Sequence, residues 1–178
     1  MPEEYHYFVL SLINSCVGNY FLTILNPTVS FQSGNIGSLP LILSNIDRVN
    51  IIANSNVHHC KSDWDSFETS WDFQRHPLVI PAVERGYMQL SDCYKEWARV
   101  CDERFARLKA NEEELNRIFI DIYGLQDELS PEVQDRDVTV RRADLGRDIR
   151  SLISYAVGCM FGRYSPFYPG LQYAGGDW

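Results

Sequence analysis

Apolar residues recur along this chain at spacings of three and four, and that pattern predicts helices. From Tyr5 to Leu25 the sequence is apolar nearly all round, with Phe8, Leu12, Cys16, Tyr20 and Ile24 on one stripe. This predicts a single, largely buried helix. It stops at Asn26-Pro27, because a proline disfavours helical backbone in the residue before it. "NPTVSFQSGNIGSLPL" then collects turn formers and reads as loop. A second, weaker pattern predicts a helix from about Ser44 to Cys60, with Ile46, Val49, Ile52 and Ala53 inward. "KSDWDSFETSWDFQRHPL" mixes acids with two Trp and two Phe, and predicts an irregular segment pinned by its rings.

The clearest element is a long helix over about 84–122. Tyr87, Leu90, Tyr94, Trp97, Cys101, Phe105, Leu108, Leu115, Phe119 and Ile122 form a 3–4 seam that skips one turn at Asn111/Glu112. At about 1.5 Å per residue it should be roughly 55–60 Å long. Gly124 and, beyond it, Pro131 mark its end. A last helix is predicted from about Arg142 to Phe161, with Leu145, Ile149, Leu152, Ile153, Ala156 and Met160 as its buried stripe. The tail "YSPFYPGLQYAGGDW" is a Pro/Gly/aromatic loop. The expected fold is mostly α: one long spacer-like helix packed on N- and C-terminal helices, with irregular aromatic-rich loops. Residues 1–178 are expected to form a single helical module, with sub-regions 1–81 and 82–178.

Composition narrows the function classes. The 178 residues suffice for one domain with a real core. The apolar N-terminal stretch follows acidic residues rather than basic ones, which suits no signal peptide, and the chain reads as cytoplasmic with no membrane span. Net charge is -8, which argues against a free-standing, non-specific nucleic-acid binder, since phosphate attraction supplies most of that affinity. A module docked on a basic partner is compatible with it. Only Lys61, Lys95 and Lys109 are lysines; the other cations are arginines, which suit bidentate pairing with carboxylate, phosphate or guanine. Five cysteines at irregular spacing, with no CxxC pair, read as reduced thiols.

Four stretches invite chemistry. "NPTV" shares its first two residues with the Asn-Pro-Pro-aromatic loop of adenine-specific methyltransferases, but Thr28 and Val29 replace the second proline and the stacking ring. The expected role is structural: Pro27 ends a helix and begins a loop. His58, His59, Cys60 and Asp63 contain metal-ligand types, yet adjacent helical residues diverge by about 100°, so a polar helix end is expected and no metal site. "NEEEL" (111–115) reads as a solvated acidic run on the long helix rather than a catalytic pair. "VRRADLGRDIR" sets Arg141, Arg142, Arg147 and Arg150 against Asp144 and Asp148. Ion pairs across neighbouring turns, from Asp144 to Arg147 and Arg150, are the expected reading, with nucleic-acid contact as the alternative.

Taken together, several of these stretches resemble a known family. They are "LINSCVGNYFLTILNPTVSFQSGNIGSLPL", "KSDWDSFETSWDFQRHPL", "RFARLKANEEELNRIFIDIYGLQDEL" and "DLGRDIRSLISYAVGCMFGRYS" with "PGLQYAGG" after it. They are similar to the C-terminal part of the large adenine-specific DNA methyltransferases of BREX phage-defence systems, which are related to single-chain type II restriction-modification enzymes. In that family the S-adenosylmethionine fold and the Asn-Pro-Pro-aromatic loop lie N-terminal to this region. The resemblance implies a fragment or separately encoded piece that holds no cofactor and no catalytic residue itself. It ties the NPTVSF segment to target recognition and the long helix to a spacer. The DNA-contact candidates are then Arg141, Arg142, Arg147, Arg150, Gln32 and Asn35. The implied partners are the methyltransferase catalytic region or another defence-system subunit, and double-stranded DNA. A pure protein-docking role without DNA contact is the alternative.

Overall fold

The computed structural model describes Pro2 and residues 5–28, 30–86 and 89–175. Among them there are helices and loops and no strand. The helices are α1 (His6–Asn14), α2 (Cys16–Leu25), α3 (Ser33–Gly37), α4 (Ile46–Trp64), α5 (Ile80–Arg85), α6 (Leu90–Tyr123) and α7 (Leu145–Met160), with a 3-10 turn at Asp135–Asp137. The chain divides into two compact units, each built from two separate stretches. Unit 1 comprises Met1–His58 and Arg107–Val138; unit 2 comprises His59–Ala106 and Thr139–Trp178. The long helix is shared: its first half belongs to unit 2 and its second half to unit 1.

Unit 1 is built on an apolar core. Phe8 and Leu12 of α1, Val17 of α2, Val49 and Ile52 of α4, and Leu115, Phe119 and Ile120 of α6 are buried together. Phe8 meets Phe119 edge-on at 5.3 Å between ring centroids. The N-terminal stretch is two helices bent by 72° instead of the one predicted. Ser15 is the break. Its hydroxyl donates to the Leu12 carbonyl (2.7 Å) and accepts from the Gly18 N–H (3.1 Å), so it closes one helix and caps the next. Gly18 is required there, because a Cβ would collide with the Leu12 carbonyl oxygen. The bend rotates the buried stripe: Val17 and Leu22 face the core, while Ile24, placed inward by a straight-helix reading, is 63% exposed.

The long helix carries most of its predicted seam, with Trp97, Cys101, Phe105, Leu108, Leu115 and Phe119 all buried; Leu90, at its first turn, is 48% exposed instead. It starts at Leu90, after Gly86 separates it from α5; Tyr87, the first expected seam position, lies outside the described residues. Its 34 residues span about 51 Å. Gly124, in the left-handed region at φ 66°, follows its last turn. The skipped turn has a physical reason: Asn111 donates there to Asn56 Oδ1 (2.8 Å) and Ser55 Oγ (3.3 Å) on α4. α4 carries Val49, Ile52 and Ala53 inward as the pattern requires.

Unit 2 holds smaller clusters, among them Phe73–Tyr155–Tyr164 and Leu78–Trp97–Cys101. Here α7 departs from its predicted stripe. Its deepest residues are Asp148 and Tyr155, with Ile149, Leu152 and Cys159 packed beside these clusters. Leu145, Ile153, Ala156 and Met160, expected inside, are exposed. The apolar arc of α7 is wider than the surface its unit covers, so periodicity alone marked the wrong edge of it. Among the described residues no single helix is long and apolar enough to cross a membrane. α1 and α2 together have the length and composition, but the bend between them places Phe8, Leu12, Val17 and Leu22 in the protein interior.

Candidate nucleic-acid interface

The arginine-rich stretch before and within α7 is organised by two buried carboxylates and two aromatic rings of unit 2. Asp63, in the last turn of α4, accepts from Arg104 Nη1 (3.1 Å) and from the Arg141 backbone N–H (3.4 Å), with Arg141 Nε 3.9 Å away. Asp148 accepts from Trp97 Nε1 (3.0 Å), the Asp144 N–H (3.0 Å) and Arg147 Nε (2.8 Å). A carboxylate can be buried only with its lone pairs satisfied and its charge opposed, and both sites meet that condition. Asp144, read above as an ion-pair partner, instead caps α7 by accepting from the Arg147 N–H (2.6 Å). The salt bridge of Arg147 goes to its neighbour Asp148.

The guanidinium planes are fixed by stacking. Arg141 lies over Phe67 at 4.2 Å and Arg147 over the same ring at 5.5 Å; Arg142 covers Phe105 at 3.9 Å and pairs with Asp102 at 3.1 Å. An arginine held by its face and one edge still presents its remaining N–H donors outward. Arg141 and Arg142 are 38% and 52% exposed, so a shelf of oriented donors reaches solvent. Arg150 is exposed and makes no ion pair among the described residues.

The sequence candidates therefore separate. Arg141, Arg142 and Arg147 are assembled around Phe67 and Phe105; Arg150 follows on α7. Gln32 and Asn35 belong to unit 1, at the start of α3. Gln32 is exposed. Asn35 Oδ1 accepts from the Gln32 N–H (2.9 Å) and from Asn26 Nδ2 (3.3 Å). Asp63, Asp148 and Phe67 organise this region and were not among the candidates. Asp63 and Phe67 were signalled only by the acid–aromatic alternation of "DWDSF", and Asp148 only as one of two acids among the arginines, which does not say which arginine each meets.

The Asn-Pro loop has its own chemistry. Asn26 Oδ1 accepts from the Thr28 N–H (3.1 Å) and hydroxyl (2.7 Å), and Nδ2 donates to the Ser30 carbonyl (2.9 Å). The amide thus closes its own turn, and Pro27 follows an extended Asn26 (φ -149°, ψ 100°) that ends α2. Among the described residues no group of three His, Cys, Asp or Glu could hold a metal ion. In "NEEEL", Glu113 accepts from the Val133 N–H (3.4 Å) and Glu114 pairs with Arg117 (3.2 Å) and Arg48 (3.6 Å). Glu112 is half-buried, and burial pushes its carboxyl up to about 7. In unit 2, burial holds the His76 imidazole down to about 4, with Nδ1 accepting from the Leu78 N–H (3.2 Å).

No family model matches the chain. Two curated proteins do. The chain is 49% identical over 172 residues to the adenine-specific methyltransferase PglX of Lacticaseibacillus casei (strain Zhang), a match that takes in 96% of this chain and 14% of that protein. This chain corresponds to a C-terminal segment of the PglX/BrxX adenine-specific methyltransferases. BrxX of Escherichia coli O9:H4 (strain HS) is 30% identical over 186 residues, covering 94% of this chain and 15% of BrxX. The chain thus spans about one seventh of the length of these PglX/BrxX relatives. The match includes the stretches on which the family resemblance rested, and the long helix, the arginine shelf and the Asn-Pro loop all belong to this C-terminal segment.

Proposed function

We propose that this chain is a non-catalytic recognition and spacer module of a phage-defence adenine-specific DNA methyltransferase. The observation that carries this reading is the near-complete match to one seventh of two such enzymes. The arginine shelf supports it, since donors locked by stacking suit phosphate or base edges. So does the Asn26 amide, whose hydrogen bonds are spent on its own turn and on Asn35 of α3. The S-adenosylmethionine site and the base-flipping loop then belong to the catalytic region of the larger enzyme, and the assembly works in the cytoplasm. In this reading Arg142, Arg147 and Arg150 touch the DNA backbone, Arg141 braces them, and Gln32 and Asn35 reach DNA from the loop of unit 1. The acidic balance of the chain keeps its own affinity low, so recognition depends on the catalytic region alongside it.

A fluorescence-anisotropy titration against mixed-sequence duplex DNA, at low and near-physiological salt, tests this. The expected result is weak binding that falls steeply with salt, with a slope reduced by about 0.9 per phosphate contact removed. Arg142→Ala with Arg150→Ala should flatten that slope while lowering the melting temperature by only a few degrees, because Arg150 is exposed and Arg142 gives up one stacking contact on Phe105 and one pair with Asp102. No binding at low salt would make the chain a protein-docking piece instead.

A further inference from the structure

α7 carries two apolar faces and its own unit covers one of them. The covered face holds Leu152, Tyr155 and Cys159. The other holds Leu145, Ile153, Val157 and Met160, with Phe161 just beyond; they are 56%, 58%, 46%, 83% and 75% exposed. Ile153, Val157, Met160 and Phe161 follow the i, i+4, i+7, i+8 spacing of a single helical stripe. No acid or base interrupts it between Ile153 and Phe161: Arg150 stands one turn before Ile153 at its N-terminal end, Arg147 lies to one side, and Ala156 extends the apolar surface. The stripe offers on the order of 500 Å², the upper end of what a soluble monomer leaves open.

We infer that this stripe is the docking face of the module, and that its occupant is the preceding part of the same kind of methyltransferase. The inference rests on the module reading above. Three observations select this occupant. The PglX and BrxX relatives have more than four fifths of their length outside the matched segment, so a large tethered partner exists for the face in those proteins. From Ile153 to Phe161 the face carries no charge, Arg150 standing only at its N-terminal end, which suits protein better than nucleic acid. Its size falls short of the roughly 800 Å² per partner of a stable free-standing complex, but is ample for two parts of one chain, where tethering supplies the concentration.

The test replaces the matching segment of the L. casei relative with the full 178-residue chain and follows hydroxyl-radical oxidation of Met160, with the fully exposed Trp71 as internal reference. The isolated chain should oxidise readily at Met160. In the chimera Met160 should lose most of that reactivity while Trp71 keeps its own, and Met160→Glu or Ile153→Glu should weaken DNA methylation by the chimera while leaving the melting temperature of the isolated chain unchanged. Met160 equally reactive in both forms would overturn the docking face. Light scattering that showed a dimer of the isolated chain, dissociated by Met160→Glu, would give the face to a second copy and would overturn it too. A chimera that folds but does not methylate DNA, with Met160 protected, would instead count against the module reading and leave the docking face standing.

Discussion

The two halves of α6 serve two different kinds of interior. In unit 1 its second half packs Leu115, Phe119 and Ile120 into an apolar core whose buried polar residues, Ser11, Ser15 and Asn116, are all uncharged. In unit 2 its first half surrounds Trp97 and Cys101 with buried Asp63, His76 and Asp148 and with stacked arginines. One helix with one seam, interrupted at Asn111, thus supports an interior without buried charge and one organised by buried carboxylates. The difference lies in what packs against it. Unit 1 owes its order to apolar area, which is tolerant of detail; unit 2 owes its order to donors and acceptors that must all be matched.

This contrast can be broken by substitution. Phe119→Ala should cost unit 1 about 3–5 kcal/mol, as deletions of a fully buried ring do. Trp97→Ala should cost unit 2 a similar amount, about 3–5 kcal/mol, and also leave Asp148 short of one donor. Urea unfolding separates the two, because Trp64, Trp71 and Trp97 lie in unit 2 and unit 1 has no tryptophan. Tryptophan emission therefore reports unit 2, and helical circular dichroism reports both. Equal shifts of both signals in both variants would show that the units unfold as one. Asp63→Ala should follow at about 3 kcal/mol, because Arg104, with only 10% of its side chain exposed, would keep a buried charge without its carboxylate.

Acid and base should pull the units in opposite directions. His76 takes up its proton near pH 6.5 in the unfolded chain and near 4 in unit 2. Between those values the unfolded state binds more protons. The stability of unit 2 is therefore complete above pH 6.5 and falls by about 3 kcal/mol on going down to pH 4. Glu112 behaves the other way. Its folded carboxyl titrates near 7 against 4.5 when unfolded, so unit 1 loses stability as pH rises from 4.5 through 7. Tryptophan-monitored urea midpoints at pH 4.5 and 7.5, with His76→Phe as control, should reveal the first effect; Glu112→Gln should remove the second from the circular-dichroism midpoint. The smallest expected effect is that of Ser15→Ala, about 1 kcal/mol for a lost cap, confined to unit 1.

The comparison also explains what the sequence disclosed. The apolar half of the molecule was legible: the α6 seam, the inward face of α4 and the stop at Asn26-Pro27 all follow from periodicity and proline geometry. The break at Ser15 was not, because a serine flanked by apolar residues leaves the 3–4 pattern unbroken; only the Gly18 approach to Leu12 reveals it. The arginine shelf was legible in composition but not in pairing. Asp144 stood at ideal helical spacing from Arg147, yet it sits at the cap, where its oxygen is worth more to an N–H than to a guanidinium. Of the apolar stripe on α7, Ile149 and Leu152 pack inside unit 2 as read, while Leu145, Ile153, Ala156 and Met160 are exposed, since a sequence records that a surface is apolar and not what covers it.

The sharing of α6 has a consequence for synthesis. Each unit is assembled from two stretches of chain, so neither can close when its first stretch is made. The Cys16 N–H of α2 finds its acceptor in Asn116, 100 residues later. At about 5–20 residues per second that separation is roughly 5–20 s of translation. For that interval the most apolar segment of the chain waits at the ribosome without its core, and the arrival of a single helix supplies partners to both units at once.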